Sequence, residues 1–121
     1  MLIDSSVWID TLRSGGSEES RERVASLLVS GHAAWCAAVR LELWGGIRDQ
    51  RERRLLGQYA SLVADLPVTD AVWQRAIELT EAGRRKGHSF PYPDRIIFAC
   101  ARVHGVEILH RDRHFDVLAS L

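Results

Sequence analysis

The stretch Met1-Leu2-Ile3-Asp4-Ser5-Ser6-Val7-Trp8-Ile9-Asp10 runs an apolar segment into a carboxylate and two hydroxyls, then resumes with apolar residues. A short apolar run bounded by polar capping residues predicts a buried strand, and the Ser-Ser-Val-Trp-Ile that follows predicts a helix directly after it. Asp4 is thereby placed at the carboxyl end of a strand. In open parallel α/β sheets ligands bind at that edge, because loops and helix starts converge above the strand tips. Asp4 is a functional candidate by position. Capping of the next helix is the competing reading, although Ser5 or Ser6 has the chemistry to cap it alone.

Outward from this stretch, short apolar runs keep alternating with helical patterns. Helices are predicted over residues 6–13, ending near Gly15-Gly16, and over 18–30, with acids in the first turn and Gly31 past the end. Residues 32–36 predict a second strand, and 37–47 a helix in which Glu42 lies among Val39, Leu41, Leu43 and Trp44. A carboxylate in such company meets a cation, for which Arg40 and Arg95 are the candidates, or joins a polar site. Leu55, Leu56, Tyr59, Leu62 and Val63 form one stripe of a helix over 51–64, and 66–68 predict a third strand. Thr69 or Asp70 then caps a helix reaching about residue 85, with Val72, Trp73, Ala76, Ile77 and Leu79 turned inward. The polar, cationic residues 83–89 predict a loop. Pro91-Tyr92-Pro93-Asp94 starts a nearly all-apolar, central helix over 95–104, residues 106–109 a fourth strand, and Phe115 belongs to a closing helix. Asp112, just past the fourth strand, repeats the position of Asp4.

This order predicts an α/β fold: a mostly parallel sheet flanked by helices, with right-handed crossovers. The 121 residues suffice for one domain, residues 1–121, with a core that needs no disulfide. Cys36 and Cys100 lie in apolar segments, which predicts reduced, buried thiols. The 16 basic and 16 acidic residues balance, so nucleic-acid contact has to come from local patches. The absence of a basic leader and of any span-length apolar stretch predicts a soluble, cytoplasmic protein without membrane contact.

Four acids are brought toward one sheet edge by this arrangement: Asp4 and Asp112 after strands, Asp94 at a helix start, and Glu42 within the helix after the second strand. Carboxylates gathered in a partly dry site repel one another unless a cation neutralises them. Oxygen ligation points to Mg²⁺, with Mn²⁺ as a substitute, and to metal-assisted phosphodiester hydrolysis.

The opening Met-Leu-Ile-Asp-Ser-Ser-Val-Trp-Ile-Asp, the Glu-Leu-Trp-Gly-Gly from Glu42, the Pro-Asp-Arg-Ile-Ile-Phe-Ala-Cys-Ala around Asp94 and the Asp-Arg-His-Phe from Asp112 together resemble a PIN-domain ribonuclease. In length and layout the chain is most similar to VapC-type toxins of bacterial toxin-antitoxin pairs. The resemblance implies a PIN-like three-layer α/β/α fold with four to five short strands, and an endoribonuclease acting on structured cellular RNA of the tRNA or rRNA class. It implies Asp4, Glu42, Asp94 and Asp112 as the catalytic quartet, with Asp4, Asp94 and Asp112 holding the metal and Ser6 supporting the first acid. It also implies a VapB-type antitoxin that covers the acidic pocket, and a homodimer. The chain departs from the family pattern at His110, where Thr is usual, and at His114, where a further acid often precedes the closing Phe.

Arg84, Arg85, Lys86, Arg111 and Arg113 flank these acids and are candidates to hold RNA phosphates. Trp8 and Tyr92 are candidates to stack on a base, and Trp44 and Trp73 for an interface or the core. Three other readings compete. Cys100, His104, His110 and His114 have a spacing loosely compatible with zinc. A phospho-receiver would need paired acids after the first strand and a lysine after a late one, which this chain lacks. A PIN-like module that binds RNA or protein without cutting is the stronger rival.

Overall fold

Leu2 and Ile3 are fully buried and form β1 (Leu2–Ile3), the second-from-edge strand of a four-stranded sheet in the order β3-β2-β1-β4. The computed structural model describes residues 1–121. Strand β1 pairs with β2 (Ala34–Trp35) and β4 (Ile108–Leu109), and β2 pairs in turn with β3 (Ala64–Asp65); every pairing is parallel, with Leu2 opposite both Ala34 and Ile108. The chain steps from β1 to β2 to β3 on one side, then returns to lay β4 on the other side of β1. The strand order therefore reverses between β1 and β4, where open α/β sheets leave a crevice. Asp4 and Asp112 follow the two strands that border it.

Seven helices cover the sheet in three layers, α/β/α: α1 (Ser5–Leu12), α2 (Glu18–Ser30), α3 (Ala37–Gly45), α4 (Gln50–Ala60), α5 (Asp70–Arg85), α6 (Tyr92–His104) and α7 (Arg113–Ala119). Their ends obey local chemistry. Ser17 caps α2 by accepting from the Ser20 N–H, Glu18 and Glu19 face its positive end, and Gly31 closes it at φ 75°, where an L side chain is strained. Helix α6 is the central pillar: Ile96, Ile97, Phe98, Ala99, Cys100 and Ala101 are all buried. No helix is long and apolar enough to cross a membrane.

The structure corrects several boundaries. The third strand is Ala64–Asp65 and not 66–68: it lies at the sheet edge, where exposed residues suffice, and its ladder is made by the Ala64 N–H to Ala33 and the Leu66 N–H to Trp35. Helix α4 stops at Ala60, leaving Leu62 exposed; α5 ends at Arg85 as expected, so the loop starts after it and not at Gly83. Gly83 serves packing here, since a Cβ would come within 3.0 Å of the Phe90 ring. Trp73 and Ile77, expected inward, are exposed, as are Leu41, Trp44 and Val103. The apolar stripes are wider than the faces the core can cover.

One buried ion pair ties α1 to α4. Glu52 is 2% exposed, and its Oε1 accepts from Arg13 Nη1 at 2.6 Å and from the Arg48 N–H at 2.9 Å. Breaking such a pair strands a charge. Arg13→Ala is expected to cost about 2 kcal/mol, below the full burial penalty because Arg13 itself reaches solvent and Arg48 still donates. Urea unfolding checks this, and a midpoint equal to wild type would mean that the pair contributes nothing.

Candidate active site

Asp4 follows β1 directly and serves as N-cap of α1, so capping and site membership coexist in one side chain. Its Oδ2 accepts from the Ser6 N–H at 3.0 Å and from Ser6 Oγ at 2.5 Å. Its Oδ1 is buried and receives no hydrogen bond, in a residue only 3% exposed. Ser6 Oγ also accepts from the Arg111 N–H at 3.1 Å, which fastens the loop after β4 to the first turn of α1.

Asp112, beyond β4, is the N-cap of α7 and accepts from the His114 N–H. Asp94 sits in the first turn of α6, buried, where Pro91 and Pro93 fix the entry. Three of the four acids thus lie at helix N-termini, whose dipoles favour negative charge. Glu42 approaches from α3, with Oε1 accepting from Ser5 Oγ at 2.9 Å. Neither suggested cation meets it: Arg40 pairs with Asp65, and Arg95 bonds Thr80 and lies over the Tyr92 ring.

The acids feel one another. Burial first, and then the charges of Asp4, Asp94 and Asp112, raise the Glu42 carboxyl above its ordinary value, opposed by the Ser5 hydroxyl. Asp94 is likewise raised, by burial and then by Asp112 and Asp4, against the hydrogen bond from His114. A carboxylate whose folded pKa is raised contributes most favourably below its unfolded pKa, and that contribution is lost as pH rises through the folded value. Metal-free wild type should therefore lose melting temperature relative to Glu42→Gln between pH 4.5, the ordinary glutamate value, and neutrality. Parallel melting curves for the two proteins across that window would rule out the repulsion.

His114, met in the sequence as a departure from the family pattern, stands inside the acidic group. Its Nδ1 lies 2.8 Å from Asp94 Oδ2 and 3.1 Å from Asp112 Oδ1. The ligand atoms of Asp94, Asp112 and His114 all fall within 4.8 Å of one another. His110 turns away, toward the Phe115 ring and Asp116, while its Nδ1 accepts from the Asp112 N–H. The zinc reading fails on placement: Cys100 faces the Leu66 carbonyl and His104 the Pro67 carbonyl, so these side chains do not converge with His114. Ser5 was not anticipated. The Asp-Ser-Ser run shows two hydroxyls but not that they diverge to different acids.

The candidate phosphate-binding cations are differently placed. Arg84, Arg85 and Lys86 are exposed at the end of α5 and make no ion pair. The segment after them is anchored by Phe90, whose ring meets His114 edge-on at 6.3 Å. Arg113 is exposed in an open cleft with Ser6, Asp112 and His114. Arg111 lines the same cleft but already binds Asp10, whose carboxyl is held below its usual range chiefly by the Ser20 hydroxyl. Tyr92 is 60% exposed beside Asp94, whereas Trp8 is 0% exposed and cannot stack on a base.

The PIN domain family profile matches residues 1–121. Ribonuclease VapC21 of Mycobacterium tuberculosis is 36% identical over 104 residues, covering 84% of this chain and 75% of the relative. Ribonuclease VapC11 of the same species is 34% identical over 125 residues, covering 100% and 92%. Among solved structures, VapBC2 from Rickettsia felis bound to a promoter DNA fragment superposes with a TM-score of 0.83 at 14% identity over 99% of this chain and 93% of that one. VapC20 of M. tuberculosis, described as a sarcin-ricin loop cleaving toxin, gives 0.66 at 19% identity over 96% and 92%. With four acids on one crevice, a profile that spans the chain and relatives above 30% identity, this chain belongs to the PIN-domain family, among the VapC ribonucleases.

Proposed function

We propose that this chain is the toxin of a toxin-antitoxin pair and cuts structured RNA at the crevice between β1 and β4, with Asp4, Glu42, Asp94 and Asp112 as its working acids. The observation that carries this reading is the buried Asp4 Oδ1, left without a protein partner beside three further carboxylates. PIN-domain ribonucleases are metal-dependent, and this donor set fits a hard divalent cation, Mg²⁺ or Mn²⁺. Asp4, Asp94 and Asp112 would hold it. When bound, the ion polarises a phosphoryl oxygen and makes water more acidic.

The protein's own groups do the rest. Glu42 is kept in place through Oε1 by Ser5, which leaves Oε2 to take a proton from water. The water oxygen attacks phosphorus as that proton leaves, and the P–O bond on the opposite side breaks, its oxygen keeping the bonding pair and taking a proton from solvent. Ser6 fixes Asp4 and ties the two strand ends together. Arg84, Arg85, Lys86 and Arg113 supply exposed positive charge for the RNA backbone, with Arg111 partly committed to Asp10.

The partner is a VapB-type antitoxin, in keeping with relatives solved as toxin-antitoxin complexes. Exposed Leu41, Trp73, Tyr92 and Ile77 continue outward from Glu42 and Asp94 as apolar surface of the kind that partners cover. We assign that surface to the antitoxin and to a homodimer, and the protein to the cytoplasm. The test is incubation of total cellular RNA with purified antitoxin-free protein in Mg²⁺, in Mn²⁺ and in chelator. Discrete fragments that require metal are expected. Intact RNA, from folded protein that binds metal, would favour a module that binds without cutting.

A further inference from the structure

The side chain of His114 is the one nitrogen donor among the acids, and it is placed as a ligand would be. Nδ1, not Nε2, faces Asp94 and Asp112, at 2.8 and 3.1 Å. Donor atoms on adjacent corners of an octahedron with bonds of ~2.1 Å stand about 3.0 Å apart. The ring is steadied on one side by the edge-on contact with Phe90, and its backbone N–H is held by Asp112 Oδ1. Asp4 Oδ1, buried and without a partner, independently marks this crevice as short of a positive charge.

We propose that His114 Nδ1 is a direct ligand of the divalent cation, so that the site is a mixed carboxylate and imidazole centre that selects Mn²⁺ over Mg²⁺. This deepens, and rests on, the reading of the acids as a metal site. Mg²⁺ demands oxygen donors and sheds water reluctantly, whereas imidazole suits transition metals. In the metal-free protein a protonated Nδ1 donates to Asp94; ligation moves the proton to Nε2 and frees the Nδ1 lone pair for the cation, and the ring is only half-buried, so Nε2–H has access to water as its partner. An acid at this position would instead complete an all-oxygen set. A nitrogen donor here therefore changes which ion the enzyme takes, and not merely how tightly.

The experiment uses the full chain loaded with one equivalent of Mn²⁺. Electron spin-echo envelope modulation should detect a directly bound ¹⁴N in wild type, and none in His114→Asp or His114→Ala with Mn²⁺ still bound. Calorimetric titration with each ion should show the Mn²⁺-to-Mg²⁺ affinity ratio falling about tenfold in His114→Asp, the scale on which ligand-shell changes act. Bound Mn²⁺ without nitrogen modulation in wild type would overturn the role of His114 and leave the acidic site standing. Failure of wild type to bind Mn²⁺ would overturn both. The wild-type spectrum decides the matter even if a variant does not fold.

Discussion

Asp94→Asn is expected to reduce RNA cleavage by about 10³-fold or more, equivalent to ~4 kcal/mol of lost transition-state stabilisation, while the metal-free protein melts at the same temperature or higher. The asymmetry follows from the site. Asp94 is buried with its carboxyl pKa raised by burial and by Asp112 and Asp4, so its negative charge is held in the apoprotein against an opposing field. Asn keeps the volume and an oxygen for His114, and removes the charge that the cation requires. Asp4→Asn should act alike on cleavage, since Ser6 bonds Oδ2 and the unpartnered Oδ1 is the atom available to a cation. Circular dichroism and melting in chelator, beside gel assays of cleavage in Mg²⁺ and Mn²⁺, separate the two effects. Cleavage by Asp94→Asn within tenfold of wild type would sink the assignment of the acids. A variant that lost activity only because it unfolded would show it in the melt. Activity lost with stability retained is the signature of groups held for function at a cost to folding.

Much of this site was legible before any coordinates. An apolar run that stops at Asp, followed by capping hydroxyls, places a carboxylate at a strand tip because few other local structures fit that pattern. Asp112 repeats it. Glu42 was readable as an anomaly, a charge in an apolar helix, although its lack of a cationic partner became plain only when Arg40 and Arg95 were found engaged elsewhere. What stayed hidden depends on side-chain direction. Ser5 and Ser6 are adjacent in sequence yet serve different acids, and the sequence marks His114 as a departure from the family pattern without showing that α7 turns its Nδ1 to Asp94 and Asp112. The edge strand was misplaced because hydrophobicity marks burial, and Ala64–Asp65 is paired without being buried. Trp73 and Ile77 failed in the opposite sense: a helix stripe reports apolar surface, not whether this chain or another molecule covers it.

Trp8 is where the sequence admitted a functional role and the structure assigns a mechanical one, and Trp8→Ala is expected to destabilise the protein by about 4 kcal/mol. The side chain is fully buried between Trp35 of β2 and Tyr59 of α4, with ring centroids 5.5 and 5.8 Å away. Its Nε1–H donates to the Ile3 carbonyl at 3.1 Å. Truncation would open a cavity among the largest core side chains and leave that carbonyl buried without its bond. Trp8→Phe keeps most of the packing and loses the donor, for a smaller cost of about 1–2 kcal/mol. Ile3 immediately precedes Asp4, so releasing its carbonyl loosens the strand end that presents the first acid. Trp8→Phe should therefore weaken Mn²⁺ binding a few-fold along with stability. Guanidinium unfolding in chelator and calorimetric metal titration measure the two losses. If Trp8→Phe instead left both unchanged and weakened only RNA binding, the indole would have to reach the substrate, and the burial that assigns it to the core would be wrong.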